Sequence, residues 1–553
     1  MPVPAIVLEP QRPPAAPTRP VPAKASSGRQ RPPGSLFWTW SLSFSVLFLA
    51  AAAWTFASPL GSGPDEPAHL VRAVSLVRGQ LVGKGLPHPT EAQKSTVIVK
   101  VPEVFASLET DVGCFQYKSN VPAGCQHPLN GSTRTVAVET YVGRYPPFYY
   151  AIVGLPTLAL VSVKGIYAAR LMSCAVCAAM LALAVTSLRR CRGAPLLAAG
   201  ISLAVTPMVL YLAAVVSPSG LEVASAISAW VAAMALASQR AQEISASTIG
   251  ALGASIAVLV LTRALAPLWV IFIAAAFVGL GPATPLKALL RDRHVQGWLA
   301  VCAVAAAFSL FWDLVANPFQ TEPGSPLPPG STGGDIFVLA VDRLGLLVTS
   351  SIGQFGWLDA PSPAGVMVTW LGALGAVVLV GVCLARRRGV AVIVGNVVAW
   401  VVLPTVIVLS VAREEGIVGQ GRDYMGLAVG IPIVAAFAAG QKFVDRRTTL
   451  RLATVVIALL AGCQVLDFYG TLRRYTVGTG GPLNAFSSVP GGWDVPVPGA
   501  VLLIVFATTM VAFALVLRRA ALTQPVAQAQ LPLHVLSTAG DNEAASSRVS
   551  SGA

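Results

Sequence analysis

The sequence predicts an all-α polytopic membrane protein with about 12 transmembrane helices. Three observations carry that expectation. Only 11% of the 553 residues are charged and 55% are hydrophobic, whereas an ordinary soluble domain carries about 25% charged residues. Apolar runs of roughly 20 residues recur, enough in helical form to cross a hydrocarbon layer of about 30 Å, and the mean hydropathy is +0.70. The arginines and lysines gather in short runs beside those segments, which is the positive-inside pattern. The net charge of +14 therefore reads as orientation within a lipid bilayer. With no basic face interleaved with aromatics, no nucleic-acid partner is expected.

Residues 1–35 form a Pro-, Ala- and Arg-rich tail whose charge argues for a cytoplasmic N-terminus. The membrane domain spans 36–519. Its first span, 36–57, is not followed by a small-residue cleavage site and should be retained. Residues 58–166 form a long, polar first extracytoplasmic loop. Its last part, 146–163, is short, contains Pro156 and reads as juxtamembrane. Parity supports this. The next run, 167–188, ends in Arg189-Arg190-Cys191-Arg192, and one extra crossing would put those arginines outside. Further spans are expected near 194–216, 220–238, 246–264, 267–281, 295–315, 365–385, 390–411, 424–440, 451–469 and 498–517. Residues 317–364 read as a second large extracytoplasmic loop, and 520–553 as a disordered tail on the cytoplasmic side.

With that topology the unusual polar residues converge on the outer side. Gly61-Ser-Gly-Pro-Asp-Glu-Pro-Ala-His-Leu-Val-Arg72 follows the first span. As a helix it would put Asp65, His69 and Arg72 on one face, with Glu66 one position round. A proline and two acids are also an ordinary helix start. Arg144 and Tyr145 close the first loop. Glu222 lies in the outer turn Ser217-Pro-Ser-Gly-Leu-Glu222, where Ser219-x-x-Glu222 has the form of a capping box. Arg263 sits at the outer end of the fifth span, and Trp357 and Asp359 lie in the second loop. Gln420 and Arg422 lie in Gly419-Gln-Gly-Arg422, a turn suited to holding a phosphate by an arginine fork. Charged groups at membrane depth are costly and point to function. Cys114 and Cys125 share one polar loop and can pair if it is extracytoplasmic. No Walker loop, dinucleotide fingerprint or His-Glu-x-x-His is present.

Several of these stretches come in the order of a known family. Pro64-Asp-Glu-Pro-Ala-His69 with Arg72-Ala73, Tyr145-Pro-Pro-Phe-Tyr-Tyr150, Thr206-Pro-Met208, Gly356-Trp-Leu-Asp359 and Gly419-Gln-Gly-Arg422 resemble the bacterial membrane-protein family called domain of unknown function 2142. That family resembles the C-type (GT-C) glycosyltransferases, which have many spans, an acid in the first outer loop and a polyprenyl-phosphate sugar donor. Two positions depart from the family pattern. Ser217-Pro-Ser-Gly220 stands where Asn-Pro-Asp-Gly is usual, and Asp423 intervenes between Arg422 and the aromatic Tyr424.

The resemblance implies a GT-C-like fold in the bacterial plasma membrane, with both termini cytoplasmic and the active face extracytoplasmic. It implies an inverting glycosyltransferase moving a sugar from a polyprenyl-phosphate donor to an envelope glycan, lipid or protein. Asp65 would be the general base and Glu66 the second carboxylate. His69, Arg72, Arg144, Tyr145, Glu222, Arg263, Trp357, Asp359, Gln420 and Arg422 would bind substrate. Asp65, Glu66 and Asp359 could supply oxygens to a divalent metal, although no spacing requires one. A flippase for a lipid-linked sugar, and a non-catalytic subunit of an envelope-assembly complex, are the alternative classes.

Overall fold

The computed structural model describes residues 34–90, 93–129, 131–241, 244–317, 327–442 and 445–522. The expected tails lie outside the described residues, apart from the ends of the first and last helices. Apolar runs bury best as helices, because a helix satisfies its own backbone groups in lipid. The chain accordingly opens with helix α1 (Gly34–Ala57). The first loop then holds α2 (Glu66–Val77), a small sheet of β1 (Lys84–Gly85), β2 (Val97–Pro102) and β3 (Thr135–Thr140), and the short helices α3 (Glu103–Ala106) and α4 (Leu108–Val112). Helices α5 (Pro147–Val153) and α6 (Pro156–Ala159) are too short to cross, as expected for 146–163. Next come α7 (Val163–Leu188), α8 (Ala194–Ala204), α9 (Pro207–Ala214), α10 (Pro218–Ser238), α11 (Ala246–Thr262) and α12 (Ala266–Leu280). They are followed by α13 (Leu286–Leu289), α14 (Arg293–Ala316), α15 (Gly333–Gly353), a β4–β5 hairpin (Gln354–Phe355 and Ala360–Pro361) and α16 (Ala364–Leu384). The chain closes with α17 (Arg387–Glu415), α18 (Gly421–Ala428), α19 (Gly430–Gly440), α20 (Arg446–Val477) and α21 (Gly499–Leu522).

Among the described residues, ten helices are long and apolar enough to cross a membrane, or eleven with the bent pair α8–α9 taken as one span. The protein is thus a multi-pass helical membrane protein. Helix α10, buried along its whole length, packs against α7 and α11 at the centre. The α8–α9 bend of 57° falls at Thr206-Pro207. Pro207 has no N–H to give, so the helix restarts there. The Thr206 hydroxyl accepts from Val209 N (3.4 Å) and donates to the Ser351 carbonyl (2.9 Å). Expected spans 246–264 and 267–281 correspond to the apolar helices α11 and α12, separated at Arg263, which at 17 and 15 residues are not among the ten helices long enough to cross.

Two elements differ from the sequence reading. The first loop contains a three-stranded antiparallel sheet, β1-β2-β3, with Val97 opposite Thr140 and Pro102 opposite Thr135. Its strands are Val-Ile-Val-Lys-Val-Pro and Thr-Val-Ala-Val-Glu-Thr, rich in β-branched residues. The second loop, expected over 317–364, contains helix α15, begun by a capping box between Thr332 and Asp335. Helix α15 packs its early residues Ile336 and Ala340 on Val408, Ala412 and Ile417, at the end of α17. Farther along, Ser350 accepts from Gly421 N at the start of α18 (3.0 Å). Both parts therefore contact the ends of neighbouring helices on the side of the bundle that carries the first loop. That arrangement keeps Arg386-Arg387-Arg388 at the opposite end.

Candidate functional site

The loop end is tied together by arginines. Glu66, in the first turn of α2, is sealed from solvent against Arg170 of α7. Arg170 Nε donates to Oε1 and Nη2 to Oε2, both at 2.6 Å. Gly63 N and Val216 N donate to the same carboxylate at 3.2 and 3.1 Å. The remaining Arg170 donors hold the carbonyls of Thr55, Ser58 and Pro59. Every feature of Glu66 is that of a clamp closing the turn between α1 and α2.

Asp359 is a second clamp. Arg474 of α20 donates to it at 2.7 Å and also holds the carbonyls of Phe115, Lys118 and Val121. These carbonyls belong to the loop closed by the Cys114–Cys125 disulfide, whose Cα atoms are 6.0 Å apart. Trp357 joins in through Nε1, which donates to Gly61 O at 3.1 Å. Arg72 is also fully buried, and it donates to the carbonyls of Leu81 and Tyr145. The Arg144 guanidinium holds Ala316 O at the end of α14. Glu66, Asp359, Trp357, Arg72 and Arg144, all expected at the substrate, are thus engaged in fastening the loops.

A different set meets where the side chains stay partly exposed. Asp65 adopts the left-handed backbone conformation (φ 57°) just before α2. Its side chain thereby turns away from the Glu66 clamp. One oxygen accepts from the Tyr141 hydroxyl (2.8 Å), at the end of β3, and the other pairs with Arg422 Nη2. The Asp65 side chain keeps 26% exposure. Burial alone would raise the Asp65 pKa, but the Arg422 guanidinium and the Tyr141 hydrogen bond outweigh it and hold the carboxyl below its usual range. Asp65 is therefore ionised at neutral pH. Arg422 has a further asset: its Nη1 is buried with no hydrogen-bond partner among the described residues. A buried guanidinium donor without a partner is costly, and an anion would satisfy it.

Beside this pair stands Arg263, at the end of α11. Its Nη1 donates to Asp423 (3.0 Å), Ser219 (3.2 Å) and Glu222 (3.3 Å). Glu222 also accepts from Trp269 Nε1 at 2.7 Å. Ser219 and Glu222 thus hold Arg263 and do not form a capping box; the N-cap of α10 is Ser217. Asp423 caps α18 by accepting from Gln420 N (2.8 Å), and the Gln420 side chain completes that capping box. The extra carboxylate beside Arg422 is therefore taken up by the helix start and by Arg263. Tyr145 lies within the electrostatic reach of Arg263, Asp65, Asp423 and Arg422. His69 Nδ1 meets the Tyr150 hydroxyl at 2.8 Å. Burial, then the nearby Arg422 and Arg263, push its pKa down to about 3 against the pull of Asp65. It is neutral at pH 7.

Asp65, Glu66 and Asp359 each hold a different arginine, so they do not converge as a ligand set. Among the described residues no group of three or more His, Cys, Asp or Glu stands together. Sequence reasoning missed Arg170, Arg474, Tyr141 and the capping role of Asp423. The available signal for Arg170 was its position in an apolar run, where a charge demands a partner.

Fold and site together define a multi-pass membrane protein with a partly exposed acid–arginine cluster at the loop end. The chain belongs to the family described as "Predicted membrane protein (DUF2142)", whose model matches residues 47–431. The chain is similar to ArnT from Cupriavidus metallidurans, solved bound to undecaprenyl phosphate. The identity is 12% and the TM-score 0.37, over 89% of this chain and 77% of that one. A likeness at that level carries no argument about function. No curated protein matches the chain.

Proposed function

We propose that the protein is an inverting, GT-C-type glycosyltransferase that takes a sugar from a polyprenyl-phosphate donor and passes it to an envelope acceptor. The observation that carries this reading is the Asp65–Arg422 pair, in which one guanidinium touches an ionised carboxylate and keeps Nη1 without a partner among the described residues. A donor phosphate taken up at Nη1 would lie beside the carboxylate. Asp65 then accepts the proton of the acceptor hydroxyl as that oxygen attacks the anomeric carbon. The bond from that carbon to the phosphate oxygen breaks, and Arg422 stabilises the charge left on phosphate. An inverting transfer needs a base and no second nucleophile, which agrees with the sealing of Glu66. Arg263, itself held by Asp423 and Glu222, and Tyr145 lie within electrostatic reach of the pair.

The donor tail has a path consistent with this. An apolar cavity of about 180 Å³ lies between the α8–α9 bend, α15, α16, α17 and α18–α19, lined by Leu203, Ile352, Trp370, Trp400, Met425 and Val429. Helix α18, which bears Arg422, also contributes Met425 to this wall. The loop end is taken as extracytoplasmic because it carries a disulfide, which persists in oxidising compartments. The arginine runs at the other end agree.

The test is transfer from radiolabelled polyprenyl-phosphate sugars to an envelope extract, in proteoliposomes of the wild type and of Asp65→Asn. Transfer by the wild type and its loss in a folded variant is the expected result. Movement of labelled lipid between leaflets without transfer would replace this reading with transport.

A further inference from the structure

At the end of the bundle opposite the acid–arginine cluster lies a cavity of about 660 Å³. That is the size of a small-molecule site. Its lining combines apolar residues, Leu280 and Phe437 among them, with the cations Arg192, Arg386, Arg387, Arg388 and Lys442. No Asp or Glu lines it among the described residues. Arg386, Arg387, Arg388 and Lys442 pair with no carboxylate among the described residues. The walls come from elements distant in sequence and are braced by polar contacts. Gln441 donates to Arg192 O (3.1 Å), Arg192 N to the Ser238 hydroxyl (3.3 Å) and Ala283 N to Ala237 O (2.9 Å). Gly193 and Gly440 pass so closely that a Cβ on Gly193 would lie 2.7 Å from the Gly440 backbone. The concavity is therefore built into the fold.

The charges are placed against the local field. Arg386 is the N-cap of α17, and Arg387 and Arg388 are its first residues. A helix start carries partial positive charge and favours anions there. Three guanidinium groups at that point repel both the dipole and one another. The positive-inside rule accounts for cations on this side of the membrane. It does not account for their convergence on a walled cavity at a helix start. An anion in the cavity would resolve the repulsion, using the arginine forks and the free N–H groups of the first turn of α17. The apolar part of the lining suits a ligand with a nonpolar portion beside its phosphate.

We infer that this cavity is a binding site for a phosphate-bearing polyanion, either an anionic lipid headgroup or a soluble pyrophosphate-like compound. The inference is independent of the proposed activity at the loop end.

The test uses the full chain in nanodiscs. Pyrophosphate is titrated in zwitterionic discs, and thermal stability is compared between zwitterionic discs and discs doped with phosphatidylglycerol or cardiolipin. The proteins are the wild type, R386Q/R388Q, R386K/R388K, and R518Q/R519Q as a basic-cluster control. Stabilisation by pyrophosphate assigns a soluble ligand, and stabilisation by doped lipid alone assigns a headgroup. In either case R386Q/R388Q should weaken the effect by about tenfold or more per arginine. R386K/R388K, which keeps the charge and guards against misfolding as the cause, should weaken it less, and the control should not change it. No effect of any phosphate, or an equal effect on wild type and R386Q/R388Q, overturns the inference.

Discussion

Two neighbouring carboxylates in one turn, Asp65 and Glu66, have opposite surroundings. Glu66 and Arg170 are both sealed, and the carboxylate is saturated with donors. Asp65 and Arg422 stay partly exposed, and the guanidinium retains a donor without a partner among the described residues. Asp359 and Arg474 are likewise sealed from solvent farther away, and there Arg474 Nε is a buried donor without a partner among the described residues. The difference teaches that an acid–arginine pair identifies a site only when an unsatisfied donor is combined with exposure, as at Asp65–Arg422 and not at the sealed Asp359–Arg474 pair. A saturated buried pair holds loops in register, and breaking it is expensive because one charge stays behind. An unsaturated, partly open pair is prepared for a ligand.

The comparison can be broken at either carboxylate. The largest effect on rate is expected at the open one: Asp65→Asn should lower transfer about 10²- to 10⁴-fold, the scale of a general base, with little change in the melting transition. Arg422→Gln should follow, at about 10²- to 10³-fold, as the loss of a charge stabiliser. Steady-state kinetics on purified protein check both. At the sealed carboxylate, Glu66→Gln should cost about 3–5 kcal/mol of stability by leaving Arg170 buried and unpaired. Thermal unfolding in detergent measures it, and an unchanged transition would contradict the clamp. A smaller effect is expected at Tyr141→Phe, which removes one hydrogen bond from Asp65. Transfer should fall about tenfold, with the acid limb of its pH profile moved upward as the carboxylate loses that support.

The smallest effect sharpens the comparison through pH. His69 has its pKa moved from 6.5 to about 3. Between those values the unfolded chain binds a proton that the folded chain refuses. Stability from this group is therefore complete above 6.5 and is lost as the pH falls towards 3. The melting temperature should decline over that window, and His69→Gln should flatten the decline.

The spans were legible because hydropathy and arginine runs are local signals. The acidic turn at Asp65, the cysteine pair and the Gln420-Gly-Arg422 turn were legible for the same reason. The division of labour between Asp65 and Glu66 was not. It depends on Arg170 and Arg422, which lie 104 and 357 residues away from their partners. Adjacent acids look alike in sequence, and only the left-handed backbone at Asp65 separates them. Helix α15 was hidden by Asp335, Asp342 and Arg343, which interrupt its apolar run. Arg343 is taken up by the Gly419 carbonyl at 2.9 Å, so that charge serves the turn before Arg422.

The most direct measurement sets transfer rate and melting temperature side by side for Asp65→Asn and Glu66→Gln in one preparation. The expected result is a stable, inactive Asp65→Asn protein and an unstable Glu66→Gln protein whose folded fraction still transfers sugar. A stable Glu66→Gln protein without activity, beside an active Asp65→Asn protein, would reverse the roles of the two carboxylates and contradict the central claim.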